Sequence, residues 1–95
     1  VSVAEWTAGA VRAADASQAA YFRGVLADER MQVISHLTRT RLRLRACVEG
    51  EQVVGLRAMA RLRAEVREFE AKQRDLDHLI AALDRRFSAQ WAREG

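Results

Sequence analysis

Two histidines and one cysteine are the residues of this chain best suited to hold a metal or act as a nucleophile pair: His36, His78 and Cys47. Structural zinc sites take ligands from close, paired spacings, so that one local fold gathers them. These three are far apart in sequence, and only tertiary structure could join them. A turn is expected at Gly50, between two long helical stretches. In such an antiparallel hairpin residue i faces roughly residue 100 − i. His36 then faces about residue 64, His78 faces about residue 22, and Cys47 sits beside the turn. The three do not converge, and no metal is expected.

The same geometry weakens nucleophilic catalysis, which needs a thiol or hydroxyl beside a base held by a third group. Cys47 also falls on an apolar stripe, where a small buried side chain is the simpler role. Glu68 and Glu70, and Asp75 and Asp77, are paired carboxylates in sequence only. Residues two apart on a helix point away from each other, so neither pair shares a site. No glycine-rich phosphate loop occurs. Neither enzyme chemistry nor a cofactor is expected.

Arginine is the remaining chemistry. The basic residues are fifteen Arg and one Lys, Lys72. Guanidinium groups suit phosphate and carboxylate, although a GC-rich genome would also enrich Arg and Ala. Residues 36–67 hold Arg39, Arg41, Arg43, Arg45, Arg57, Arg61, Arg63 and Arg67 against Glu49, Glu51 and Glu65, a balance of +5. Residues 68–84 hold Lys72 and Arg74 against Glu68, Glu70, Asp75, Asp77 and Asp84, a balance of −3. Positive charge therefore gathers near the turn, where it could meet nucleic acid, anionic lipid or an acidic protein. Arg39, Arg41, Arg43, Arg45, Arg57, Arg61 and Arg63 are the candidate contacts. Residues 23–68 contain no aromatic side chain, so bases have nothing to stack on. A duplex backbone is the nucleic-acid ligand that remains.

These residues must be positioned by helices. The 95 residues include no Pro and only five Gly, and Ala, Arg and Leu favour helix. Met59, Val66, Gln73, Ile80 and Phe87 recur every seventh residue, with Leu62, Phe69, Leu76 and Leu83 in the alternating phase. That is a coiled-coil seam, which another helix must cover. Gln73 is its one polar position. A Gln73–Arg30 layer is expected to fix register, since Gln73 should face Ala27, Asp28 and Arg30.

A second stripe runs through Phe22, Leu26, Val33, Leu37, Thr40, Leu44, Cys47 and Val48, interrupted by Arg30. Met31 and Leu42 lie opposite it. Residues 38–48 also alternate with period two, a strand signal, but their composition and the continuing stripe favour helix. Ser2 and Glu5 fit a capping box. The expected elements are a short helix over about 2–14, a break near 14–17, a helix over 17–48, a turn at 49–51 and a helix over about 52–93. Trp6 and Trp91 belong together at the open end. Glu68 with Lys72 and Glu70 with Arg74 are expected as pairs along one helix.

The expected fold is an all-α antiparallel helical hairpin with a short N-terminal helix, in one domain. Met31, Leu42, Val54 and Leu79 stay apolar beyond the seam. Either the first helix folds back over them or a dimer completes a four-helix bundle. A homodimer or a helical protein partner is therefore expected, with nucleic acid as the alternative. No apolar run reaches the roughly 20 residues of a membrane span. Glu5 and Asp15 interrupt any signal-like layout, so a cytoplasmic location is expected. The central helix–turn–helix and the length resemble the small secreted Trp-X-Gly proteins. Here, however, the turn reads Val48-Glu49-Gly50 and the chain is basic. A small secreted helical-hairpin protein is the further alternative. Basic helical hairpins among export-apparatus stalk and chaperone proteins are similar in shape only. The function expected from these features is helix–helix interaction, as an adaptor, chaperone-like protein or scaffold.

Overall fold

The computed structural model describes the backbone of residues 3–50 and 52–94, and the side chains of residues 13–50 and 52–94. It is an antiparallel hairpin of two helices, α1 (Val3–Val48) and α2 (Leu56–Glu94). The seam predicted on α2 is the packed one. Leu62, Leu76 and Phe87 are buried, and Met59, Val66, Phe69, Gln73, Ile80 and Leu83 are half-buried.

The expected break near residues 14–17 does not occur, because α1 is continuous. Asp15 and Ser17 are exposed on its outer side and need no cap. Ala16 and Ala19 are buried against Phe87, with Leu83 and Trp91 packed alongside. Small residues on α1 thus admit large rings from α2. The Trp91 indole N–H also donates to the Ala16 carbonyl at 2.9 Å. This packing carries the helix through a segment whose sequence would permit a cap. The first helix therefore does not fold back. The side chain of Trp6 and the Ser2–Glu5 cap lie outside the described residues.

Leu26, Val33 and Leu76 form the central core, covered by Phe69, Ile80 and Leu83. Leu37 is the most deeply buried large side chain, at 2 % exposure. Thr40 is also buried, and its hydroxyl donates to the His36 carbonyl one turn back at 2.9 Å. Residues 38–48 are helical, not extended. Phe22 and Val48, expected on the inner stripe, are exposed instead. The inner rows of α1 are Ala19, Leu26, Val33, Thr40 and Cys47, alternating with Ala16, Arg23, Arg30, Leu37 and Leu44.

Gly50 caps α1 with φ 79°, a left-handed conformation that glycine adopts without strain. Its N–H donates to the Cys47 carbonyl at 3.2 Å, the Glu49 N–H to Arg45 at 2.8 Å and the Gln52 N–H to Ala46 at 3.3 Å. The connection is longer than the expected 49–51, and α2 begins at Leu56 rather than near 52. Gly55 is its cap, accepting the Met59 N–H at 3.1 Å. The longer connection shifts the facing register by several residues from the simple rule.

Candidate interaction surface

Flanking charges display the true register. On one side Arg23 donates to Asp84 through two nitrogens, at 2.5 and 3.1 Å, and Arg30 donates to Asp77 at 2.5 Å. On the other side Lys72 lies 3.3 Å from Glu29, and His36 Nε2 lies 2.5 Å from Glu65. Each side advances seven residues on both helices, the spacing of an antiparallel coiled coil. The Gln73–Arg30 layer is therefore corrected: Arg30 takes Asp77, one turn farther along α2. The expected pairs along α2 are corrected too, because Lys72 and Glu70 reach across to Glu29 and Arg41. All these groups are partly exposed, so solvent screening leaves each pair a small contribution to stability. Their effect is to penalise other registers.

The Arg23–Asp84 pair shifts the titration of both its partners. The hydrogen bond from Arg23 holds the Asp84 carboxyl below its ordinary range, and that same bond raises Arg23.

The residues suited to chemistry do not assemble. Cys47 is buried near the turn, His78 is exposed on α2, and the His36 ring stacks on Phe69 at 4.1 Å between centroids. Among the described residues no three His, Cys, Asp or Glu side chains are placed to hold a metal ion. The hairpin rule already set His36 opposite about residue 64, where Glu65 meets it; the stacking on Phe69 was not legible in the sequence, since it depends on how the side chains interlock.

The arginines are split around the turn half rather than gathered on one face. Arg43 and Arg61 border one cleft with Glu65 and Cys47. Arg39 borders a second, beside His36 and Phe69, and Arg67 a third, beside Glu70. Of the eight, Arg41 alone reaches an acid among the described residues, Glu70 at 3.6 Å. Arg39, Arg43, Arg45, Arg57, Arg61, Arg63 and Arg67 meet no acid among the described residues.

The two outer faces differ in kind. That of α2 alternates alanine with charge, including Arg57, Arg61, Arg67, Glu68, Arg74, Asp75 and Arg85. That of α1 is sparsely charged from Ser17 to Leu42, with Asp28 and Arg39 among apolar and neutral polar residues. It exposes Tyr21 (78 %), Val25 (42 %), Met31 (62 %) and Leu42 (58 %). Leu79 on α2 is also half-exposed. Met31 and Leu42 thus lie on the unpartnered side, as their place in the sequence predicts. No helix among the described residues is long and apolar enough to cross a membrane. Comparison with known protein families, with curated proteins and with solved structures gave no match.

Proposed function

We propose that this protein is a non-catalytic helical interaction protein, an adaptor, chaperone-like protein or scaffold, working through the outer face of α1. The observation that carries this reading is the contrast between the two outer faces. A helix exposing Tyr21, Val25, Met31 and Leu42 leaves apolar surface that another helix would cover favourably. The hairpin's own seam is already occupied, and Tyr21, Val25, Met31 and Leu42 on α1 are the exposed apolar residues that share one helix face. The cytoplasm is the expected compartment.

The test compares wild type with Leu42→Glu. Both are purified from the native host, and bound proteins are identified by mass spectrometry, with light scattering of each preparation. A helical partner or second copy lost with Leu42→Glu supports the reading. An isolated monomer with no Leu42-dependent partner opposes it.

The arginines of the turn half, all but Arg41 without an acid partner among the described residues, favour a second reading, binding of duplex nucleic acid by its phosphates. Affinity would then fall steeply with salt, and the slope would flatten in an Arg41→Ala, Arg43→Ala, Arg45→Ala variant. Absence of binding at low salt removes this reading.

A further inference from the structure

The outer face of α1 carries a row at heptad spacing, apolar at its two ends and polar at its middle. Tyr21, Val25, Asp28, Gln32, Ser35, Arg39, Leu42 and Ala46 follow one another at alternating intervals of four and three residues. This is the spacing by which one helix meets another. All but the half-buried Ala46 are exposed. Asp28 and Arg39 are the charges within this row. Neither makes an ion pair among the described residues, although Arg23, Arg30 and Glu29 close by are all engaged.

We propose that this face receives a second copy of the same chain, antiparallel, with the twofold axis between Gln32 and Ser35. In that arrangement the row reads against itself without conflict. Val25 of each copy meets Leu42 of the other. Asp28 of each meets Arg39 of the other, so the two unpaired charges are neutralised twice. Gln32 meets Ser35 beside the axis, where amide and hydroxyl exchange a hydrogen bond. Tyr21 lies over Ala46, a large side chain against a small one. A parallel pair sharing a level would instead set Asp28 on Asp28 and Arg39 on Arg39, which repels. Such an isologous contact closes on itself and gives a four-helix assembly. The inference rests on the α1-face reading above and commits it to one occupant.

Charge reversal tests the pairing independently of folding. By light scattering the wild type is expected at twice 10.7 kDa. Asp28→Arg alone and Arg39→Asp alone should each weaken the dimer by about tenfold or more. The chain carrying both substitutions should regain it. Orientation is read by oxidation in a Cys47→Ala background, since Cys47 is the chain's one cysteine. Val25→Cys and Leu42→Cys chains should each stay uncrosslinked alone and form a covalent dimer when mixed. Circular dichroism checks that every variant remains helical.

A dimer that neither rescues nor cross-links in this pattern overturns the proposed packing and leaves the α1-face reading standing. A wild-type monomer that binds a different helical protein in a Leu42-dependent way overturns the second copy alone. A wild-type monomer without such a partner overturns both.

Discussion

Leu37 and Met31 are both long apolar side chains on α1, and their surroundings give them opposite roles. Leu37 is 2 % exposed and Met31 62 % exposed. Leu37→Ala should lower unfolding free energy by about 2–5 kcal/mol in urea titrations, through lost transfer energy and a residual cavity. Met31→Ala should leave the isolated hairpin within about 0.5 kcal/mol of wild type. Asp84 gives a prediction in pH. Its carboxyl is lowered by the hydrogen bond from Arg23, so the folded state binds the proton less readily than the unfolded chain does. The resulting stabilisation is fully present above the unfolded carboxyl value, near ~3.9, and is lost as pH falls through the lower folded value. Melting curves of wild type and Asp84→Asn should differ by a constant amount above about pH 5. The gap should narrow as the pH is taken down through the folded value.

At the scale of elements, two glycines on α1 and its cap should respond in opposite directions. Gly24 lies inside α1, exposed, and an added Cβ would meet nothing within 4 Å. Gly24→Ala should raise stability by about 0.5–1 kcal/mol through backbone entropy. Gly50 also has open space around it but holds φ at +79°. Gly50→Ala should cost roughly 1–2 kcal/mol, because the left-handed conformation crowds a Cβ against the following carbonyl. Thermal melts of the two variants provide the comparison. The element boundaries also show where local signals fail. Asp15 and Ser17 have the chemistry of a cap, yet Ala16 and Ala19 beneath Phe87 hold the helix straight through. The α2 seam was readable because a heptad repeats over four turns or more, so that one misplaced residue does not erase it. The inner rows of α1 were harder to read. Arg23 and Arg30 occupy core-facing positions there, and their acids come from the other helix.

As a whole, the molecule is a rod. Its radius of gyration is 20.8 Å and its extents are 72 × 21 × 15 Å, whereas a compact chain of this length would have a radius of about 12 Å. With two layers and no third, few of the described residues are deeply buried. An antiparallel pair centred between Gln32 and Ser35 places its axis off the rod's midpoint, so the two copies slide past each other by about 18 Å. X-ray scattering of the dimer should therefore show a maximum dimension near ~90 Å, given 1.5 Å of rise per helical residue. An Asp28→Arg variant in its monomeric form should return to about the 72 Å of the single hairpin. End-to-end association would instead nearly double the length.

The sequence by itself determined the class of fold, the α2 seam, the cap at Gly50 and the side on which Met31 and Leu42 are left over. Each of these is written in spacing or composition along one helix, and helical period alone converts spacing into a face. Tertiary structure decided the continuity of α1, the register and the ionic partners. Register depends on the length of the connection and on which side chains interlock across the seam, and neither is local. It moved Arg30 from Gln73 to Asp77 and Lys72 from Glu68 to Glu29, and it left His36 near its expected level, beside Glu65, stacked on Phe69. It also left Asp28 and Arg39 without ionic partners among the described residues, which no single-helix pattern could show. The candidate interaction surface is therefore half legible in the sequence: its apolar residues follow from period, and its unmatched charges follow only from knowing what every neighbouring charge already holds.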